Sequence, residues 1–226
     1  MTDRRRLLKA LAAAGVLGPA GISGLIRDAL AKGNAPVAPG LHRVRGDVTV
    51  NQRAAREGQL IGPGDTIVTG RDSEAVYVIG QDAFLQRELS TVSFGNTAAD
   101  FMRVITGKIL SVFGKGNRAL QVPTATIGIR GTGCYIETEG YGLKARTYFC
   151  LCYGSVDLTP TASPRESESY TTRHHDKPMY IHNDTGMAKM MVPAGVINHT
   201  DKELELLEAL VGRTPPFNGL FGESRY

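Results

Sequence analysis

Two cysteines separated by a single residue, Cys150 and Cys152, form the most reactive pattern in this chain of 226 residues. They lie in an apolar run that is typical of a β-strand, where side chains two positions apart point to the same face. Two thiolates on one face can bind a soft cation through both sulfurs. The pair is therefore a candidate metal site.

Histidines later in the chain could complete such a site. His174 and His175 follow the cysteines, and with Cys150 and Cys152 they form the predicted ligand set; His182 and His199 lie further on. Cysteine and histidine ligands suit tetrahedral zinc, or copper or iron, although the spacing matches no standard zinc finger. Adjacent side chains on a strand diverge, so only one of His174 and His175 is expected to join the cysteines.

A third cysteine, Cys134, leaves two other interpretations open. In an oxidising compartment an odd number of cysteines predicts one disulfide and one remaining thiol. Cys134 would pair with Cys150 or Cys152, because a bond between the latter two would be strained. A redox-active thiol pair is the other alternative.

Motifs of common enzyme classes are missing from the sequence. It has no glycine-rich phosphate loop, no Gly-x-Ser-x-Gly elbow and no His-Glu-x-x-His pair. Cys150 has apolar neighbours in a strand, an environment that does not favour a nucleophilic thiol. The sequence therefore predicts a protein that is not an enzyme.

The first 31 residues have the pattern of an export signal. Arg4 and Arg5 precede an apolar run rich in alanine and glycine, and Ala29 and Ala31 form a small-residue cleavage site. The paired arginines are similar to a twin-arginine signal, which predicts export to the periplasm. Without residues 1–31 the net charge falls from +4 to +1, which argues against nucleic acid as a partner.

The rest of the chain reads as short strands separated by turns, followed by one helix. Apolar runs rich in β-branched and aromatic residues recur between Gly, Pro and Asp clusters, which predicts an all-β fold. Thr200 and Glu203 form a capping box, and Gly212 marks the end of a helix predicted over 201–211. The predicted organisation is a signal peptide at 1–31, a linker at 32–42, a β domain at 43–159 and an extension at 160–226.

A series of strand and turn motifs runs through residues 43–159. The most distinctive is V-P-T-A-T-I-G-I-R-G-T-G, from Val122 to Gly133. With these motifs the chain resembles the FecR-type domain, the periplasmic domain of the ferric-citrate regulator family. The other matching segments are Gly46–Val50, Gly58–Gly70, Ser73 with Ala75–Gly80, Thr106–Ile109 and Gly154–Leu158.

Two of these motifs have a direct physical interpretation. Pro63 and Gly64 favour a tight turn, and Asp65 can accept a hydrogen bond from nearby backbone. Arg130 is flanked by glycines, among them Gly131, which suggests a close backbone approach and an arginine held by carbonyl groups. The motifs are thus expected to be structural.

The resemblance implies an all-β fold, either a twisted β-roll, a β-helix-like stack or a sandwich. The short C-terminal helix predicted from the capping box follows this domain. The resemblance also implies a binding or signalling role in the periplasm. The expected partner is a periplasmic protein or a small ligand, with membrane contact only if the signal is retained as an anchor. The alternative is a metal-binding, haem-binding or redox protein that uses Cys150, Cys152 and the C-terminal histidines.

Overall fold

A computed structural model describes residues 35–217, so the predicted signal peptide, the first residues of the linker and the last nine residues lie outside it. The described chain forms fourteen strands and one α-helix. These are β1 (Gly40–Arg45), β2 (Val48–Val50), β3 (Arg53–Ala54), β4 (Thr66–Thr69), β5 (Glu74–Ile79), β6 (Asp82–Gln86), β7 (Ser90–Thr97), β8 (Asp100–Val112), β9 (Asn117–Val122), β10 (Ala125–Glu139), β11 (Arg146–Pro160), β12 (Glu168–Thr172), β13 (Met179–His182), β14 (Met191–Pro193) and α1 (Asp201–Leu210).

All fourteen strands belong to one sheet, which confirms the predicted all-β fold with a short C-terminal helix. Neighbouring strands are antiparallel except for β8 and β9. The three strands of the predicted extension join the same sheet, because β12 and β13 both pair with β11 and β14 pairs with β13.

The long strand β8 exchanges partners half-way along its length. Its first half pairs with β7 and β9, and its second half pairs with β6 and β10. Gly107 lies at the exchange with φ +89°, and a Cβ there would collide with Ser90. Only glycine fits a left-handed position with so close a neighbour, so Gly107 allows the sheet to bend at this point.

Apolar side chains pack on both faces of the sheet. The inner cluster draws residues from strands as distant as β2 and β13, which requires the sheet to curl around it. The outer cluster lies on the other face and contains the buried leucines of α1. Alternation along each strand divides the two clusters, as at Ile109 in the inner cluster and Leu110 in the outer one.

Helix α1 covers part of the outer face. The side chain of Thr200 accepts a hydrogen bond from the backbone of Glu203, whose own side chain bonds back, so the predicted capping box is confirmed. Gly212 follows the helix with φ +73°, as the sequence predicts. Between residues 35 and 217 there is no helix long and apolar enough to span a membrane.

Candidate metal centre

Cys150 and Cys152 lie near the middle of β11, and both belong to the outer cluster beneath α1. Cys134, on the neighbouring strand β10, belongs instead to the inner cluster on the opposite face. All three cysteines are free thiols in the structure. The predicted disulfide of Cys134 with Cys150 or Cys152 is therefore not formed, because the sheet itself lies between the two sets of side chains.

His175 reaches the cysteines from the loop that follows β12. Its backbone N–H donates a hydrogen bond to the carbonyl of Cys152 at 2.9 Å, and its φ of +51° turns the chain sharply back toward β11. The turn places Nδ1 of His175 3.4 Å from Sγ of Cys150. A non-glycine residue held in the left-handed region is typical of functional sites.

His199 completes the group from the other side. It lies one residue before the cap of α1, and its Nε2 is 3.1 Å from Nδ1 of His175. Its Nδ1–H donates to the carbonyl of Ile197 at 2.7 Å, and its ring stacks on Tyr135 with centroids 4.8 Å apart. The orientation of the ring is thus fixed from two directions.

Four potential ligand atoms therefore converge in one place. The two sulfurs, Nδ1 of His175 and Nε2 of His199 all lie within 4.8 Å of one another. Around tetrahedral zinc, with bonds of about 2.0–2.3 Å, ligand atoms are separated by about 3.3–3.8 Å. The two separations of 3.1 and 3.4 Å are close to these values, so the group fits a tetrahedral metal ion.

Each histidine has one ring nitrogen that faces the other ligand atoms and one, the outer nitrogen, that faces away. The outer nitrogen donates a hydrogen bond and so carries the proton of a neutral ring, which leaves the inward nitrogen without one. Nε2–H of His175 donates to the carboxylate of Asp201 at 3.0 Å, and Nδ1–H of His199 donates to a carbonyl. If both rings are neutral, two lone pairs then face each other across 3.1 Å. A metal ion between them, a proton on one of the two nitrogens, or the thiol proton of Cys150 would remove this repulsion. An acceptor on the outer nitrogen is also how metal-binding histidines are normally held.

His174, the remaining member of the predicted ligand set, is directed elsewhere. Its Nε2 lies 2.9 Å from the Asp201 carboxylate, and its ring contacts Phe217. Asp201 thus accepts hydrogen bonds from His174 and His175 together. The structure brings Cys150, Cys152 and His175 into one group, adds His199, and leaves His174 outside it.

The charges of the group depend on these contacts. Hydrogen bonding from Cys152, and then from the two histidines, lowers the pKa of Cys150, whereas burial raises that of Cys152. Burial opposes protonation of His175, but its hydrogen bonds to Asp201 and Cys150 raise its pKa to about 9. Without a metal, these contacts favour a thiolate at Cys150 and a protonated ring at His175.

The group is closed to solvent. The two cysteine residues are 0% exposed, His199 is 2% and His175 is 5%. Catalytic zinc sites keep an open ligand position, whereas structural sites are filled by four protein ligands. The arrangement is therefore that of a structural centre.

The FecR-like motifs have structural contacts. Gly64 has a φ of +85°, and the side chain of Asp65 accepts a hydrogen bond from the N–H of Gly62 at 2.8 Å. Arg130, in contrast, is exposed and pairs with the carboxylate of Asp157. The expectation that backbone carbonyls hold Arg130 is thus replaced by an ion pair across strands β10 and β11.

A charged cleft of about 390 Å³ lies beside the segment that carries His199. Asn198, the residue before His199, forms part of its wall. The cleft contains both positive and negative side chains. Its other lining residues are Arg45, Asp72, Ser73, Glu74, Arg87, Glu88 and Lys108.

Comparison with known proteins gives only a distant similarity. No protein-family model matches the chain, and no curated protein matches it. Two crystal structures of a candidate anti-sigma factor from Parabacteroides distasonis, at 1.65 and 2.50 Å resolution, are similar in part. Each has 7% sequence identity and a TM-score of 0.45, over 57% of this chain and 58% of that chain. A similarity of this size does not assign a function.

Proposed function

We propose that this chain is a non-catalytic β-sheet protein that binds one thiophilic metal ion, zinc in the first instance, through Cys150, Cys152, His175 and His199. One observation carries the proposal. Four buried cysteine and histidine donor atoms lie within 4.8 Å of one another, and the outer nitrogen of each histidine already has an acceptor.

The donor set supports a metal ion over a proton. A proton between the two imidazoles would stabilise the histidines but would not bind Cys152, whose thiol makes a long contact of 3.8 Å with the Cys150 carbonyl. A metal ion uses all four groups. A ligand set of two sulfurs and two imidazoles, with no carboxylate among the four, suits zinc or another soft transition metal and does not suit magnesium or calcium.

We infer that the scaffold is a FecR-type binding domain exported through the twin-arginine route. The motifs between residues 46 and 158 and the paired Arg4 and Arg5 support this inference. The twin-arginine route carries folded proteins. A metal bound before export would protect Cys150 and Cys152 from oxidation in the periplasm, so the two proposals are compatible.

The proposal is tested by measuring the metal content of the full chain produced with its signal. Elemental analysis is expected to give one zinc per chain. Replacing zinc by cobalt should give the visible absorption of a thiolate-bound tetrahedral ion. Cys150→Ser and Cys152→Ser should each lose the metal.

Matched controls exist for both ligand types. Cys134→Ser changes a cysteine that is equally buried on the opposite face and should retain one zinc. His182→Ala changes a histidine on β13 and should also retain it, whereas His175→Ala and His199→Ala should not. A protein without metal and with three titratable thiols would overturn the proposal. A single free thiol would support the disulfide instead.

A further inference from the structure

The proposed ligands come from two parts of the chain that differ in how firmly they are attached. Cys150 and Cys152 belong to β11, which is paired on both sides. His199 belongs to residues 194–200, the segment between β14 and α1, which we call the strap. A metal ion would therefore join the middle of the sheet to the strap.

The other attachments of the strap are hydrogen bonds and one ring contact. The hydroxyl of Tyr148 donates to the carbonyl of Gly195 at 3.0 Å and accepts from the N–H of Ile197 at 3.3 Å. Arg87 donates to the carbonyl of Asn198 at 3.0 Å. Ile197 is only half-buried, and Asn198 is exposed. The N–H of Ala194 donates to the carbonyl of Pro178 at 3.0 Å, and the side chain of Asn198 donates to Glu137 at 2.9 Å. Within the strap only His199 is buried, so a metal ion bound to His199 would add the one attachment that reaches beneath the surface.

Helix α1, which follows the strap, is attached differently. Its four leucines are buried against the outer face, with no more than 4% exposure. Near its end, Glu208 accepts hydrogen bonds from Tyr153 and Arg213. The helix thus has an apolar contact with the sheet that does not depend on the metal site.

The strap also forms part of the charged cleft. Asn198 lines the cleft, and Nη2 of Arg87 donates both to its carbonyl and to the Glu203 carboxylate at 2.8 Å. A movement of the strap would separate Asn198 from Arg87 and widen the cleft.

From these contacts we propose that metal occupancy holds the strap closed, so that metal removal releases residues 194–200 and opens the cleft while the sheet and α1 remain folded. This proposal rests on the metal binding proposed above. The strap would then couple the metal site to the cleft, because Asn198 lines the cleft and the next residue, His199, is a proposed metal ligand.

Hydrogen–deuterium exchange on the full chain tests the proposal. Exchange is measured for the zinc-loaded protein, for the same protein after chelation, and after zinc is returned. Peptides covering the strap should exchange about tenfold faster or more after chelation and recover with zinc. Peptides covering Leu204–Leu210 and β8 should change by less than about twofold.

A variant separates the strap from the metal ligands. Tyr148→Phe removes the hydrogen bonds to Gly195 and Ile197 without replacing a ligand, and it also removes the hydroxyl that interacts with Cys150. It should keep one zinc per chain, yet its strap should exchange faster than that of the native protein even when zinc is bound. Cys134→Ser serves as the control and should behave as the native protein does.

The outcomes distinguish the two proposals. If one zinc binds but chelation leaves exchange of the strap unchanged, the strap proposal is overturned and the metal-binding function stands. If chelation accelerates exchange throughout the sheet, the metal supports the whole fold and the strap proposal is equally wrong. If no zinc binds, both proposals fail.

Discussion

Asp201 offers the sharpest test of how the metal centre is organised, because it contacts the ligands without being one of them. Its carboxylate accepts a hydrogen bond from His175 at 3.0 Å and another from His174 at 2.9 Å. Burial opposes ionisation of Asp201, but the two histidines together hold its pKa below the usual value. Asp201 therefore fixes a proton of His175 on Nε2, and Nδ1 faces Cys150 and His199.

The substitution Asp201→Asn keeps the shape of the side chain but removes its charge and one of its two acceptor oxygens. Loss of the partner of a metal-bound histidine usually lowers metal affinity about 10–100-fold. That loss corresponds to about 1.4–2.7 kcal/mol of binding free energy. Since all four ligands remain, the variant should still bind one zinc, whereas Cys150→Ser should not.

Competition between the protein and a chromophoric chelator measures the zinc dissociation constant. Glu205→Gln removes a charge one turn further along the same helix, where the carboxylate interacts electrostatically with Asp201, and it serves as the control for a general electrostatic effect. A dissociation constant of Asp201→Asn within about twofold of that of the control would refute the assigned role. So would complete loss of zinc, because that result would make Asp201 itself a ligand.

Three further predictions concern stability and export. Thr200→Ala removes the capping box of α1 and should lower the free energy of unfolding of the zinc-loaded protein by about 0.5–2 kcal/mol in a denaturant titration. Leu207→Ala removes a side chain that is 0% exposed and should cost more, about 2–5 kcal/mol; equal effects of the two would contradict the packing of α1 on the sheet. Replacing Arg4 and Arg5 with lysines should leave the precursor in the cytoplasm, as judged by cell fractionation, and unchanged export would exclude the twin-arginine route.

The features that the sequence predicts best are those determined by neighbouring residues. The helix, its capping box and its final Gly212 depend on positions within about one turn of each other. The structure places them as expected, with α1 at Asp201–Leu210 where 201–211 was predicted. The placement of Cys150 and Cys152 on one face also follows from local alternation.

The sequence predicts less well where each strand begins and ends. The apolar run from Phe84 to Phe94 predicts one strand, but Leu89 adopts a φ of +53° and the run forms parts of β6 and β7. Conversely, β10 continues past Arg130 through a bulge, although the glycines on both sides of this residue would allow the chain to turn there. Hydrophobicity does not distinguish a turn from a bulge, because the difference depends on which strands pair.

The ligands of the proposed metal centre could also be predicted only in part, because they come from segments that are distant along the chain. His175 joins the group as the divergence of adjacent side chains suggests, but the fourth member, His199, lies 24 residues later and was not singled out as a ligand. A signal was present in the sequence. His199 directly precedes the cap of an amphipathic helix, and such a helix packs its apolar face on a sheet. The start of α1 therefore had to lie close to a strand, although the sequence does not say which one.

The position of Cys134 decides how the odd number of cysteines should be understood. By number alone, any two of the three thiols could form a disulfide. The alternation of side chains along the strands, however, places Cys134 in the inner cluster and the other two cysteines in the outer cluster. Joining Cys134 to either partner would require β10 or β11 to turn over, which would move every neighbouring side chain to the wrong face. Cys150 and Cys152 can bind a metal ion without that disruption if the other ligands approach from the outer face of the sheet. His175 and His199 lie there, so the sheet register that separates Cys134 from the pair also favours metal binding over a disulfide.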